Sequence, residues 1–206
     1  MGLNTSTHEQ KTFIGIVNGK FCKRVDETTE GAVKREIEYP KGSPKRPIWE
    51  LHYASLDGLV TGIELKEGTE FGDQLLISME DVGEIFVVTL GLKSREAKGF
   101  MMCLPNIDLS ISVHLQPYNY ERKKDGKKMI GMGVSYTGEK DNIPYFFNQE
   151  NGLPWGGEEK LDKDEFEALM LSQTIFLKKK TKAFITEYFS GSQKPPKQNH
   201  PLQQNL

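Results

Sequence analysis

The sequence predicts a mainly β protein that ends in a long α-helix. Apolar and polar residues alternate in short runs between residues 12 and 136, which is the period of half-buried strands. The alternation stops once inside this stretch, over residues 94–104, where apolar residues recur at helical spacing. Helical spacing returns near residue 162 and continues for about seven turns.

The first predicted element is a β-hairpin, preceded by a flexible arm over residues 1–11. Two alternating runs, 12–17 and 20–25, flank the pair Asn18-Gly19. Asn-Gly favours a type I′ turn, because both central residues of that turn need a positive φ angle. Residues 26–47 contain three prolines, so we expect turns and no central strand there.

Five further strands and one helix follow. The predicted strands cover residues 59–65, 74–79, 85–92, 111–118 and 129–136. Between the third and the fourth, Ser94 is placed to cap a short helix that Pro105 ends. This order of three strands, a helix and two strands is that of the OB-fold, a five-stranded and partly open barrel.

We therefore predict an OB-fold-like five-stranded barrel with an N-terminal β-hairpin extension, together spanning residues 12–157. The C-terminal α-helix is predicted over residues 158–191, where Asp162 and Glu165 have the spacing of a capping box. Residues 192–206 are rich in Pro and Gln and are predicted to be disordered.

The composition excludes several classes of protein. The chain has 206 residues, with 27 Lys and Arg against 29 Asp and Glu. No run approaches the roughly 20 apolar residues that cross a bilayer. P-loop, GxSxG, HExxH and GxGxxG motifs are absent, and Cys22 and Cys103 lack CxxC spacing. We therefore expect a cytoplasmic protein without membrane association, cofactor, metal or enzymatic activity.

Isolated residues of types found in functional sites have structural explanations. Gly131 and Gly133 flank a single methionine inside a strand pattern, which indicates a close approach to the backbone or a bulge. His52 and His114 each precede alternating apolar residues, so we expect both to be strand residues.

Charge is unevenly distributed along the chain. Residues 57–92 carry eight acidic residues against Lys66, a net charge of −7. Residues 119–128 carry five basic residues against Glu121 and Asp125, a net charge of +3. This basic segment joins the last two predicted strands, where OB-folds place a loop over a bound strand.

Aromatic residues flank the basic loop. Lysines that attract phosphates and flat rings that stack on bases are what sequence-tolerant single-strand binding needs. The candidate nucleic-acid-binding residues are Tyr118, Tyr120, Arg122, Lys123, Lys124, Lys127, Lys128 and Tyr136. A solvated turn and half-buried tyrosines are the structural alternative.

The acidic first three strands argue against nucleic acid, because the loop after strand 1 is the other half of the usual OB-fold site. The basic surface would then be extended elsewhere. The residues available are Lys20, Lys23, Arg24, Lys34, Arg35, Lys41, Lys45 and Arg46.

The chain resembles single-stranded-DNA-binding proteins of tailed bacteriophages and related prophages over about residues 12–155. The resemblance is carried by the N-terminal hairpin, Ser55-Leu56-Asp57-Gly58, residues 104–110 (LPNIDLS) and Asn151-Gly152-Leu153-Pro154. It implies a protein of the host cytoplasm that coats single-stranded DNA during replication and recombination and recruits proteins of those processes. Many single-strand binders end in an acidic tail, whereas this chain ends in Gln203-Gln204-Asn205-Leu206.

Two other functions stay open at this point. A protein–protein adaptor or inhibitor, such as a phage-encoded modulator or virion component, would bind partners or form homo-oligomers through the C-terminal helix, using Phe166, Phe176, Phe184 and Phe189. A metal-dependent nuclease would need carboxylates that converge on the metals, and the candidates are Asp57, Asp73, Asp81 and Asp108.

Overall fold

The computed structural model describes residues 11–39, 42–157 and 161–190. The tail predicted over residues 192–206, and all of the predicted arm except Lys11, lie outside the described residues. The described chain is mainly β, with a nine-stranded curled half-barrel sheet and a long C-terminal helix. None of its helices is long and apolar enough to span a membrane.

The strands are β1 (Lys11–Val17), β2 (Lys20–Val25), β3 (Val33–Ile37), β4 (Arg46–Tyr53), β5 (Leu56–Thr69), β6 (Gly72–Asp81), β7 (Glu84–Gly91), β8 (Val113–Glu121) and β9 (Lys128–Tyr136). Helix α1 spans Arg95–Cys103 and a 3₁₀ turn, Leu104–Asn106, follows it. Helix α2 spans Lys163–Ser190. The strand order in the sheet is β3-β4-β2-β1-β7-β6-β5-β8-β9.

The sheet differs from the expected five-stranded barrel because the N-terminal hairpin is part of it. β1 pairs in parallel with β7, whereas the other neighbouring strands pair antiparallel. β1 therefore occupies the edge of β7, which would otherwise be free. On the far side of the hairpin, β4 and β3 extend the same sheet.

The strand β4 corrects the expectation that the prolines of residues 26–47 exclude a central strand. β4 begins at Arg46, includes Pro47 and lies between β2 and β3. Pro47 is tolerated because the pairing of β2 with β4 extends only to Trp49 on β4, so Pro47 has a strand neighbour on one side only.

The β1–β2 turn confirms the predicted hairpin and packs on β8. Asn18 and Gly19 have φ angles of 50° and 74°. A Cβ atom on Gly19 would lie 2.4 Å from the backbone nitrogen of Asn119. Glycine is therefore required at position 19 for two reasons: the positive φ angle of the turn and the close contact of the turn with β8.

The core lies between the sheet and the two helices. Its strand residues include Leu75, Ile77, Val88 and Leu115, all with 3% exposure or less. Ser94 caps the N-terminus of helix α1, and its side chain accepts a hydrogen bond from the nitrogen of Ala97. Its buried residues confirm the helical pattern predicted for this segment.

Helix α2 packs on the same core. Asp162 and Glu165 form the predicted capping box, with each backbone nitrogen donating to the other residue's carboxylate at 2.9 and 2.8 Å. Leu177 is fully buried, and Gln173 donates to the carbonyl oxygen of Pro154 at 2.7 Å. Phe176 is in edge contact with Phe147, which ties the 137–157 connection to the helix.

Candidate nucleic-acid interface

The loop between β8 and β9 is a tight turn braced by Arg122 and Asp125. The nitrogen of Arg122 donates to the carbonyl oxygen of Lys127 at 2.9 Å, and Gly126, at φ 64°, donates to that of Arg122. The Arg122 guanidinium is paired with the Asp125 carboxylate and lowers its pKa. Arg122 therefore holds the loop in shape, and its charge is already partnered.

The four lysines of the loop are exposed, and none of them forms an ion pair with a described carboxylate. Lys123 and Lys124 precede the Asp125-Gly126 corner, and Lys127 and Lys128 follow it. The ion pairs within the described residues do not include any of the four. Their positive charge is available to a bound anion.

Tyr118 and Tyr120 lie side by side on the outer face of β8, next to the lysine loop. Their ring centroids are 5.7 Å apart, and Tyr120 is 54% exposed. The ring of Tyr118 covers Gly131 on β9, where a Cβ atom would lie 2.5 Å from the Tyr118 hydroxyl oxygen. This confirms the close approach to the backbone predicted at Gly131. Burial raises the pKa of Tyr118, so its hydroxyl stays neutral at physiological pH.

A second exposed ring, Tyr145, lies beside Tyr118 and was not predicted. The two tyrosines line a cavity of about 260 Å³ together with Asn142 and Gly133. The residue is 49% exposed, and burial together with the neighbouring Tyr118 raises its pKa. The sequence signal for Tyr145 is weak, because Tyr145 begins an aromatic run whose last member, Phe147, is buried.

The structure does not bring Tyr136 to the other two tyrosines. In the β8–β9 ladder Tyr136 is paired with Val113, five residues from Tyr118, which corresponds to about 17 Å along the strand. It lies on the core side, where its hydroxyl donates to the carbonyl oxygen of Asn106 and accepts from the nitrogen of Asp108. Tyr136 holds the turn after α1 in place.

Lysines of α2 partner the acidic residues near the β5–β6 turn. Lys178 donates to Asp73 at 2.7 Å and lies 3.4 Å from Glu67, and Lys182 lies 3.8 Å from Glu67. The Lys178 contact lowers the pKa of Asp73 and keeps it ionised. The negative charge that the sequence places in this region is thus partly neutralised from within the chain.

Three of the four candidate nuclease carboxylates have other partners. Asp57 is bonded to His114 at 2.9 Å and to Thr137, Asp73 to Lys178, and Asp108 to Ser110. Within the described ranges, one group of three clustered metal-ligating side chains occurs, and it contains none of the four candidate aspartates.

That group is Cys22, Glu50 and His52, whose donor atoms lie within 4.8 Å of one another. Arg35 occupies both carboxylate oxygens of Glu50, at 2.8 and 2.7 Å. Burial raises the pKa of the Cys22 thiol, so the thiolate that a metal needs is disfavoured. A metal here would have to displace the arginine. As predicted, His52 and His114 are strand residues, in β4 and β8.

Two of the four helix phenylalanines proposed as adaptor contacts pack on the protein's own core. Phe176 and Phe184 are partly buried against it. Phe166 and Phe189 are 48% and 39% exposed. The protein itself therefore covers the side of α2 that carries Phe176 and Phe184, whereas Leu171 and Ile175, at 50% and 59%, are exposed like Phe166 and Phe189.

Comparison of the chain with protein-family models, with curated proteins and with solved structures finds no match.

Proposed function

We propose that this protein binds single-stranded DNA without an enzymatic reaction, by stacking bases on Tyr118 and Tyr120 and by contacting phosphates with the lysines of the β8–β9 loop. The observation that carries the proposal is the position of two adjacent outward-facing rings beside four unpartnered lysines on one hairpin. Rings supply binding that tolerates any base, and lysines supply the electrostatic attraction to the backbone. Coating of DNA in phage replication or recombination is the role that the sequence resemblance implies.

The connectivity of β5 to β9 supports the same proposal. The pairs β5–β6, β6–β7, β5–β8 and β8–β9, with α1 between β7 and β8, follow an OB-like order. We propose an OB-like half-barrel in which β1 pairs with β7 and takes the place that the last strand has in a closed barrel. In this arrangement the lysine loop corresponds to the loop that OB-folds place over a bound strand.

The binding test is fluorescence anisotropy of a labelled oligo-dT of about 30 nucleotides, titrated with protein at several salt concentrations, with a duplex of equal length as the comparison. We expect tighter binding to the single strand and an affinity that falls with salt. Absence of binding at low salt would overturn the proposal and favour a protein-binding role for α2.

Replacing Lys123, Lys124, Lys127 and Lys128 with Ala is expected to flatten the salt dependence. Each phosphate contact contributes about 0.7 to the slope of log affinity against log salt for single strands, so the loss is up to about 3. The matched control replaces four exposed lysines elsewhere, Lys140, Lys163, Lys179 and Lys180, and changes the net charge equally. Equal slopes in the two variants would remove the loop from the interface.

Tyr120→Ala is expected to weaken binding by about 1–3 kcal/mol, the contribution of one stacked base. Tyr120→Phe keeps the ring and is expected to bind as the unaltered protein does. Because Tyr120 is 54% exposed, neither change should alter the fold. Equal loss in both variants would indicate a hydrogen-bonding role for the hydroxyl group instead of stacking.

A further inference from the structure

A second cavity lies along the β1–β2 hairpin, and none of its lining residues belongs to the loop between β8 and β9. It is a groove of about 600 Å³. Its lining includes Lys11, Phe13, Gly15, Arg24, Arg35 and Glu50. Alternation along β1 and the register Gly15↔Cys22 place Phe13, Gly15, Cys22 and Arg24 on one face of the sheet.

Phe13 is the unusual residue of this groove. It sits in the middle of β1, next to the buried Ile14, yet it is 61% exposed. Gly15, the next residue on the same face, has no atom within 4 Å of the position of an added Cβ. An exposed aromatic ring next to a glycine that leaves the strand surface uncovered is suited to stacking on a flat ligand.

The groove is positively charged. Four basic residues line it, namely Lys11, Lys23, Arg24 and Arg35. Glu50, the acidic residue in the lining, is 3% exposed and fully occupied by Arg35. Arg35 is bound to Glu50, and Lys23, paired with Ile14, lies on the opposite face of the sheet. The positive charge on the face of Phe13 therefore comes from Lys11 and Arg24, which form no ion pair with a described carboxylate.

The β1–β2 hairpin connects this groove to the tyrosine pair. Its turn contacts β8 at Tyr118 and Asn119. Phe13 lies four residues before Val17, the last residue of β1, which corresponds to about 13 Å along the strand. Lys20, exposed at the start of β2, lies at this turn between the two surfaces.

We propose that the groove around Phe13 is a second subsite for the same single strand, which runs from the lysine loop over Tyr120 and Tyr118 and along the β1–β2 hairpin to Phe13. This inference rests on the proposed function. In the groove one base stacks on Phe13, and Lys11 and Arg24 contact the adjacent phosphates.

The test measures affinity for a series of oligo-dT lengths from about 4 to about 20 nucleotides, a range that covers the known site sizes of single OB-type domains. The number of nucleotides covered per protein is measured on poly-dT in the same experiments. For Phe13→Ala we expect about 5- to 150-fold weaker binding of the longest oligonucleotide, the effect of one lost stacking contact. We also expect the affinity to stop rising at a shorter length and fewer nucleotides to be covered.

The matched control is Phe166→Ala, which removes an exposed ring, 48%, at the start of α2 outside the groove. It should leave affinity and site size unchanged. Lys11→Ala combined with Arg24→Ala should lower the salt slope by about 1.4, whereas Lys163→Ala combined with Lys179→Ala should not lower it. Thermal unfolding of each variant verifies that the fold is intact.

The outcomes separate this inference from the proposed function. If the unaltered protein does not bind oligo-dT, the proposed function fails. A second outcome is that the unaltered protein binds oligo-dT and Tyr120→Ala weakens this binding, while Phe13→Ala changes neither affinity nor site size. The second subsite is then overturned, and the proposed binding by Tyr118, Tyr120 and the loop between β8 and β9 is retained.

Discussion

At the scale of single residues, the two-residue turn between β6 and β7 has an unfavourable residue in it. Val82 has a φ angle of 46° and is 97% exposed, and Gly83 follows with a φ angle of 81°. A side chain with a Cβ costs roughly 1–2 kcal/mol in the left-handed region, and valine is branched at that atom. The β1–β2 turn also has two positive φ angles, and there Asn18 occupies the position that corresponds to Val82. Asn is a preferred residue at that position.

We therefore expect Val82→Asn to increase the free energy of unfolding by about 1 kcal/mol, because Asn tolerates the left-handed region. The measurement is thermal or urea unfolding. For a chain of this size the gain corresponds to a midpoint about 2–4 °C higher. Val33→Asn is the control, since Val33 is also exposed but has no positive φ angle, and it should not stabilise.

The pair of Arg35 and Glu50 makes stability depend on pH. The two hydrogen bonds from Arg35 hold the pKa of Glu50 below its ordinary value of 4.5. The unfolded chain therefore takes up this proton at a higher pH than the folded chain does. The stabilising contribution is complete above about pH 4.5 and is lost as the pH falls through the lowered pKa of the folded state.

We expect the free energy of unfolding to fall more steeply as the pH drops below about 4.5 in the unaltered protein than in Glu50→Gln, which cannot titrate at this position. Urea unfolding at a series of pH values provides the comparison. Parallel curves for the two proteins would show that Glu50 has the same pKa folded and unfolded, contrary to its pairing with Arg35.

At the scale of elements, the β1–β2 hairpin depends on how closely its turn lies on β8. Gly19→Ala introduces a Cβ 2.4 Å from the Asn119 nitrogen, a backbone atom that cannot rotate away. Gly83→Ala has a similar φ angle, 81°, but meets no atom within 4 Å. Both substitutions place an alanine at a positive φ angle, but only Gly19→Ala also creates a steric clash with β8.

We expect Gly83→Ala to lower the free energy of unfolding by about 1 kcal/mol and Gly19→Ala by about 1–3 kcal/mol more. Urea unfolding of both variants measures the difference, which is the cost of separating the turn from β8. Equal losses would mean that the turn is not seated on β8 in solution.

The elements that the sequence predicted well are those with local signals. Asn18-Gly19 fixed the hairpin, Ser94 marked the start of α1, and the Asp162–Glu165 pair marked the start of α2. The pairing of β1 with β7 has no such signal, because alternation tells which face of a strand is buried and not which strand lies next to it. Four extra strands in the sheet, β1 to β4, follow from that one non-local pairing.

The candidate site was predictable to a similar extent. The lysine loop, Tyr118 and Tyr120 are neighbours in sequence and stay neighbours in the fold. Tyr136 lies on the opposite face of the sheet. It is paired with Val113, and Val113 is five residues from Tyr118 on β8, an odd number, so the two side chains point to opposite faces. Phe13 could not be recognised, because an exposed phenylalanine and a buried one look the same in an alternating run.

At the scale of the whole molecule, part of the negative charge of residues 57–92, which argued against a nucleic-acid ligand, is paired with lysines from a distant part of the chain. Lys178 and Lys182 lie more than 100 residues after Glu67 and Asp73, yet they contact these residues directly. Helix α2 therefore serves both to cover the core through Leu177 and to neutralise part of the acidic region near the β5–β6 turn.

The parallel ladder of β1 and β7 joins two groups of strands, and each group comes from one continuous stretch of the chain. All four strands on one side of this ladder come from residues 11–53, and all five on the other side come from residues 56–136. Within the described residues, β1–β7 is the one strand ladder between the two groups, and Ala54 and Ser55 are the covalent link. The protein is thus a natural candidate for fragment complementation. Residues 1–54 and 55–206, produced as separate chains, should reassemble through an intermolecular β1–β7 ladder, and mixing the fragments should restore the far-UV circular dichroism of the intact chain.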